Sequence, residues 1–205
     1  RIYGHSIFRL MIFLPYVISP AIVGFFALLV FDPNIGLLNS FFSSVGLDSF
    51  KSSWFGDPQR AFPLLASVIG WQGIGVGMII ILANLKNVPD EVVEAATIDG
   101  AGSWNLFWRV VLPFLTPSII NVLILSTIFA LIQFDLPYII GGSTGGINRT
   151  MDFMNLVFFR YAFGDAYLGE TSMGFGAAIS VVLFFIIFFI ALIQKLLVSK
   201  FSDRD

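Results

Sequence analysis

Six residues stand out as groups that could bind a solute, because they lie in or beside long apolar runs: Trp71, Gln72, Asn121, Gln133, Phe134 and Asp135. Aromatic faces bind by stacking, and amides and carboxylates bind by hydrogen bonds. Asn121 and Gln133 have a second interpretation, since they equally suit hydrogen bonds between helices. Trp71 equally suits the membrane interface, where tryptophan is enriched.

Asp135 is the sharpest of these candidates. A carboxylate within an apolar span is unfavourable in lipid, so it should face the protein interior or water. The alternative is an interfacial position, because the apolar run 114–140 is longer than a span needs and Asp135 lies near its end. The sequence leaves both interpretations open.

The sequence does not indicate an enzyme. It has no Cys and one His, which argues against thiolate metal sites, cysteine nucleophiles and a membrane-embedded hydrolase built on convergent His and carboxylate groups. It also lacks a Gly-x-x-x-x-Gly-Lys phosphate loop and a Gly-x-Ser-x-Gly nucleophile elbow. We therefore expect no catalytic residue, metal or cofactor in this chain.

Composition indicates a membrane protein. The 205 residues are 57% hydrophobic and 12% charged, with 24 Phe and a mean hydropathy of +0.90. Such a chain cannot present a soluble surface. The net charge of -2 and the absence of a basic cluster argue against nucleic acid as a partner.

Four apolar runs reach the roughly 20 residues that a membrane-spanning helix needs. They cover residues 10–31, 62–85, 114–140 and 173–198. Pro15 and Pro20 predict a kinked first helix, and the third run carries two further prolines. Gly73 and Gly77 have the four-residue spacing that lets helices pack closely. The sequence therefore predicts an all-α transmembrane bundle in a single domain, 1–205.

The polar loop 86–113 separates the second and third runs. Pro89 should begin a short helix, and acidic residues follow it near the positive end of the helix dipole. Gly100 should end this helix in a left-handed conformation, and Ser103 should cap a second helix through its hydroxyl. Ala95 and Ala96 leave one helix face nearly bare, which lets another protein surface approach.

The second helix of the loop should carry an apolar stripe suited to the bilayer surface, since its members recur at helical spacing. They are Trp104, Phe107, Trp108 and Val111.

An ordered set of residues in and around this loop resembles the EAA loop of binding-protein-dependent ABC importers. The set is Leu85, Val88, Pro89, Glu91, Glu94, Ala95, Ala96, Asp99, Gly100, Ala101, Phe107, Leu112 and Pro113. Further segments, including Gly36 to Asn39, Phe134 to Gly142 and Tyr161 to Phe163, are similar to the carbohydrate-uptake branch of these permeases. The turn Gly141 to Gly146 departs from that branch, being longer and less proline-bearing.

The resemblance implies a type I ABC importer permease whose first two spans are missing here. It implies an inner-membrane subunit of a bacterium or archaeon that translocates a sugar, oligosaccharide or related polyol by alternating access. The implied partners are a second permease, two ATPase subunits that hold ATP and Mg, an external binding protein and membrane lipid. The implied ATPase-coupling residues are Glu94, Ala95, Ala96, Asp99, Gly100 and Ala101. A non-sugar solute, or a channel or ion-coupled transporter, remains an alternative.

The distribution of basic residues predicts the orientation. With the chain start, the loop 86–113 and the C-terminal tail on one side, that side holds seven of the Lys and Arg residues, and the other side holds four. The positive-inside rule therefore puts the loop and the C-terminus in the cytoplasm. The outer loops 32–61 and 141–172 are then candidate docking surfaces for an external partner.

Overall fold

Every regular element in the described part of the chain is a helix. The structure, a computed structural model, describes residues 4–164 and 171–202, so Arg1 and Arg204, which contribute to the predicted charge bias, lie outside the described residues. The helices are α1 (His5–Val17), α2 (Pro20–Val30), α3 (Leu37–Ser44), α4 (Pro58–Leu85), α5 (Asp90–Ile98), α6 (Ser103–Leu106), α7 (Leu112–Leu131), α8 (Asp135–Gly141), α9 (Met154–Phe163) and α10 (Met173–Ser202). A wide π-helical turn, Phe107–Val111, joins α6 to α7.

Three helical segments of the described chain are long and apolar enough to cross a membrane. They are Pro58–Leu85, Ser103–Gly141 and Met173–Leu196. The pair α1 and α2 passes the same test together, but its two helices are bent by 97°. The predicted all-α transmembrane class is confirmed, with the first span present only as a broken one.

The break between α1 and α2 corrects the expected kinked helix over 10–31. Ile18 and Ser19 leave the helical region, with ψ of 134° and 137°. Pro20 is the first residue of α2, and a proline pushes the residue before it into an extended conformation. Pro15 lies inside α1 without ending it. Only one of the two prolines therefore breaks the run.

The run 114–140 is also interrupted. α7 ends at Leu131, and α8 begins at Asp135. Pro137 lies in the first turn of α8. Backbone N–H groups in a first turn have no partner within the helix, so a proline fits there. At the other end of α7, the wide turn Phe107–Val111 ends two residues before Pro113. A proline has no N–H, and its ring clashes with the preceding turn of a regular helix, so a wide turn accommodates it better.

Close packing around α4 is made by Gly75 and Gly77, and only Gly77 belongs to the predicted pair. A Cβ on Gly75 would lie 2.9 Å from the Cα of Phe13, so this glycine lets α1 approach. A Cβ on Gly77 would lie 3.0 Å from Cγ1 of Val122 on α7, whereas one on Gly73 would meet nothing within 4 Å. The predicted pairing of Gly73 with Gly77 is therefore wrong, because Gly73 faces open space.

The main buried cluster lies where α2, α4 and α8 meet. Val23, Leu65, Leu136 and Met151 are each no more than 4% exposed. α2 lies close to α8 because Gly24 has no side chain: a Cβ there would lie 2.7 Å from Cγ2 of Ile139. This end of the bundle carries the loops 31–57 and 142–153, so the core anchors both loops.

One buried amide organises the loop between α2 and α4. Asn39 is 4% exposed, donates to the carbonyls of Pro33 and Ser52 at 3.0 Å each, and accepts from Nε1 of Trp54 at 2.9 Å. At the start of the loop, the backbone N–H groups of Ile35 and Asn34 hold the pKa of Asp32 below its ordinary value. The loop is thus fixed by hydrogen bonds as well as by packing.

Candidate functional site

A cavity of about 1020 Å³ lies between the broken first span, α4 and α7. Most of its wall is apolar or small, including the three glycines Gly70, Gly73 and Gly77 of α4. These glycines widen the space because they place no side chain in it. The volume lies just above the range of roughly 300–1,000 Å³ for small-molecule sites.

Five residues supply the polar groups that a solute could meet in this cavity. They are Tyr16, Gln72, Ser126, Gln133 and Asp135. Asp135 is the one charged residue among the described lining residues. The aromatic rings in the wall are those of Tyr16, Phe62, Phe129 and Phe153. The arrangement suits a solute with both apolar faces and hydroxyl groups.

The two helix breaks at the cavity are each held by a side-chain amide from another helix. Gln72 on α4 donates from Nε2 to the carbonyl of Ile18 at 3.1 Å. Asn155 on α9 donates from Nδ2 to the carbonyl of Ile132 at 2.6 Å. A carbonyl exposed by a helix break is unfavourable in an apolar environment without a donor. These two amides therefore stabilise the irregular backbone that shapes the cavity.

The six solute-binding candidates separate into two groups. Gln72, Gln133 and Asp135 line the same cavity. Trp71 instead borders a separate apolar groove beside α2, where it is 54% exposed. Phe134 packs against the rings of Tyr138 and Phe159, with centroids 5.3 and 5.1 Å away. Asn121 is exposed and is not among the described lining residues.

The sequence interpretation missed Tyr16 as a lining residue. This residue lies between Pro15 and the helix-breaking Pro20, and residues beside a broken helix tend to line a cavity. The two prolines were the signal that could have identified Tyr16. Ser126 lies in an apolar run with no comparable signal.

The loop after α4 forms the predicted short helix and turn. Pro89 stands directly before α5, and Gly100 has φ of 82°. The N–H groups of Gly100 and Ala101 bond to the carbonyls of Thr97 and Ala96 at 3.1 and 3.0 Å. This pair of bonds is the Schellman motif that ends helices at a left-handed glycine. The predicted helix end at Gly100 is confirmed.

The predicted cap at Ser103 is wrong. The cap position before α6 is Gly102, and no side chain bonds there. α6 does not form a separate second helix either, since it continues through Phe107–Val111 into α7. The apolar stripe is present, with Trp104, Phe107 and Trp108 all exposed and their rings in contact.

The six coupling candidates form one patch on α5 and its turn. Glu94, Ala95, Asp99 and Gly100 are exposed, while Ala96 and Ala101 are half-buried. Ile98 is 85% exposed beside them, which makes it the most exposed large apolar side chain of the described residues. α5 is therefore an exposed acidic helix with one large apolar side chain at its surface.

A buried ion pair holds the loop that follows α8. Arg160 on α9 is 4% exposed and donates from Nη2 to both carboxylate oxygens of Asp152, at 2.5 and 2.6 Å. Its Nη1 donates to the carbonyl of Thr144 at 3.4 Å. Gly145, at φ of 76°, lies against Asp152, since a Cβ there would be 3.0 Å from the Cα of Asp152. The pair therefore ties the glycine-rich turn to α9.

The fold and the cavity together define a polytopic membrane protein with a partly open, solute-sized cavity and an exposed helix, α5, in the loop between α4 and α7. The chain belongs to the family described as binding-protein-dependent transport system inner membrane component, which matches residues 3–203.

Two curated relatives are similar over nearly the whole chain. It is 35% identical over 202 residues to the multiple sugar-binding transport system permease protein MsmF of Streptococcus mutans serotype c, covering 98% of this chain and 66% of that protein. It is 33% identical over 202 residues to the arabinooligosaccharides transport system permease protein AraP of Bacillus subtilis, covering 97% and 61%. The chain thus spans about two thirds of the length of these relatives.

A solved structure has the same fold. It is the crystal structure of a bacterial ABC transporter involved in the import of the acidic polysaccharide alginate, with a TM-score of 0.75, 21% identity, and coverage of 98% of this chain and 68% of that chain.

Proposed function

We propose that this chain is the membrane-spanning permease subunit of an ATP-driven importer, and that it translocates a sugar, oligosaccharide or related polyol. The observation that carries the proposal is the cavity of about 1020 Å³, which combines aromatic rings with hydrogen-bonding groups in a chain of this family. The relatives named for multiple sugars and arabinooligosaccharides support a carbohydrate as the solute.

The proposed binding mode uses two kinds of contact. Apolar faces of a sugar ring stack on aromatic side chains such as Tyr16, Phe62 and Phe129, all of which line the cavity. Its hydroxyl groups bond to the amide of Gln133 and to the carboxylate of Asp135. Gln72 serves a second purpose, since one of its amide donors is already bonded to Ile18.

The proposed coupling route runs from α5 to the wall of the cavity. α5 contacts α6 and the wide turn Phe107–Val111, and both continue into α7. α7 lines the cavity with Val122, Ser126 and Phe129. A force applied to α5 by a closing ATPase dimer would therefore move α7 and open the cavity to the other side of the membrane. ATP and Mg are held by the two ATPase subunits in this proposal.

Exposed apolar side chains border the cavity and suit a second permease subunit. Ile74 is 57% exposed and Phe129 is 49% exposed, although both line the cavity. A second permease subunit placed there would complete the chamber. On the proposed outer side, the loops fixed by Asn39 and by Arg160 provide surfaces on which an external binding protein can dock.

We expect single cysteines to report the proposed orientation, because the chain has no Cys of its own. Ser44, at the end of α3, and Ser103, at the start of α6, are both exposed. A membrane-impermeant maleimide should label Ser44→Cys in intact cells and should label Ser103→Cys only after the membrane is permeabilised. The reverse labelling pattern would put the α5 loop outside the cell and exclude an ATPase partner there.

ATP-driven uptake by the assembled complex tests the proposed function. The two permeases and two ATPases are reconstituted in liposomes with the binding protein, and a thermal-shift screen of the binding protein selects the radiolabelled saccharide. We expect uptake that needs both ATP and the binding protein. Uptake that persists without ATP, or follows an ion gradient, would support a channel or ion-coupled transporter. ATP-dependent uptake of a non-carbohydrate alone would reject the carbohydrate.

A further inference from the structure

We propose that the cavity accepts neutral saccharides and rejects acidic ones, and that Asp135 sets this preference. This inference rests on the proposed function, and it narrows the solute from carbohydrates in general to those without a carboxylate, sulfonate or phosphate group. It follows from the charges that surround the cavity.

The described lining residues include one carboxylate and no Lys or Arg. Cations elsewhere in the described chain do not neutralise that carboxylate either. The ion pairs of the described residues join Lys51 to Asp48, Arg60 to Asp57 and Arg160 to Asp152, and none of them includes Asp135. The cavity therefore carries a negative charge that is not paired with a described Lys or Arg, in a mostly apolar wall.

An acidic saccharide would be disfavoured in this cavity for two reasons. It would leave water without meeting a cation, which is unfavourable for any ionised group. It would also be repelled by Asp135: two unit negative charges roughly 7 Å apart, at an effective dielectric constant of about 20, reduce binding on the order of 50-fold.

A neutral saccharide has no ionised group to desolvate and is not repelled by Asp135. Its hydroxyl groups can donate to the Asp135 carboxylate, and a hydrogen bond to an ionised acceptor is stronger than one to a neutral acceptor. The amide of Gln133 and the hydroxyl of Tyr16, which line the same cavity, can both donate and accept. The same carboxylate that repels an acid therefore favours a polyol.

Direct binding to the complex tests the inference without the selectivity of the binding protein. The assembled permease and ATPase complex in nanodiscs is dialysed against radiolabelled arabinotriose, raffinose and maltotriose, and against each sugar with one primary alcohol oxidised to a carboxylate. We expect the parent to bind at least one neutral sugar about 50-fold more tightly than its oxidised form.

Two variants of Asp135 and one control give the inference its sharpest test. Asp135→Asn keeps the size of the side chain and most of its hydrogen bonds, and it should reduce the preference to within about threefold. Asp135→Lys should reverse the preference. Asp48→Asn removes one negative charge from the loop between α2 and α4, away from the cavity lining, and should leave the preference unchanged.

The outcomes separate the inference from the proposed function. If saccharide uptake is ATP-driven but Asp135→Asn leaves the neutral-to-acidic ratio at the parental value, the inference is wrong and the proposed function stands. An equal change in Asp48→Asn would also overturn it, since the effect would then come from the overall field. Absence of direct saccharide binding in a complex that transports would place the discrimination outside this cavity. If no saccharide is taken up, both proposals fail.

Discussion

Gly100→Val is expected to reduce substrate-stimulated ATP hydrolysis and uptake together. Gly100 has φ of 82°, and a Cβ there would meet nothing within 4 Å, so the effect of a side chain is conformational and not steric. A left-handed conformation costs an ordinary residue roughly 1–2 kcal/mol, and it costs a β-branched residue more. The fraction of molecules that hold the docking-competent turn should therefore fall about tenfold. Uptake and substrate-stimulated ATP hydrolysis should fall together by about that factor.

Gly100→Asn is the matched control, because asparagine tolerates the left-handed region better than valine does. We expect this variant to keep most of the parental uptake in the same proteoliposome assay. Both variants should insert and assemble normally, which is checked by the amount of each complex recovered. Equal uptake by the valine and asparagine variants would show that the turn at Gly100 has no part in coupling.

Arg160→Met is expected to give the largest loss of stability among these variants. The guanidinium is 4% exposed and bonds both oxygens of Asp152, so its removal leaves a largely buried carboxylate without a partner. Breaking a buried pair from one side typically destabilises a protein by about 3–5 kcal/mol. The turn around Thr144 and Gly145 should loosen as well. Thermal unfolding of the assembled complex in detergent measures the effect.

The double variant Arg160→Met with Asp152→Leu shows whether the single variant loses stability because of the unpaired charge or because of lost packing. Replacing both partners with apolar residues removes the uncompensated charge, so the double variant should recover much of the stability that the single variant loses. If the single and double variants unfold at the same temperature, packing of the Arg160 stem explains the loss. A single variant as stable as the parent would mean that the ion pair contributes nothing.

Local physics made several features predictable from the sequence. Pro89 and the acidic residues after it favour a helix start, and Gly100 favours a left-handed helix end, because both effects depend on a few neighbouring residues. The apolar composition required a membrane for a different reason, since no arrangement of so few charged residues covers a soluble surface. The coupling roles of Glu94 and its neighbours stay predictions, as do those of the cavity residues.

Only the tertiary structure decided which side chains share the cavity. A span that is apolar on all sides has no preferred face, so its sequence does not tell which residues point inward. Trp71 and Gln72 are adjacent in sequence, yet one borders an outer groove and the other lines the cavity. The same ambiguity made Gly73 and Gly77 look like a packing pair, although Gly75 is the glycine that contacts α1.

The helix breaks and the buried ion pair depended on contacts between distant segments. Pro20 marked the end of one helix, but the 97° bend is fixed by partners such as Gln72, which lies 54 residues from Ile18. Asp152 and Arg160 are eight residues apart with a helix start between them, a spacing that has no fixed geometry. The sequence by itself determined the membrane class and the local form of the α5 loop. The tertiary structure decided the cavity, because helix packing chooses the faces that the sequence leaves equivalent.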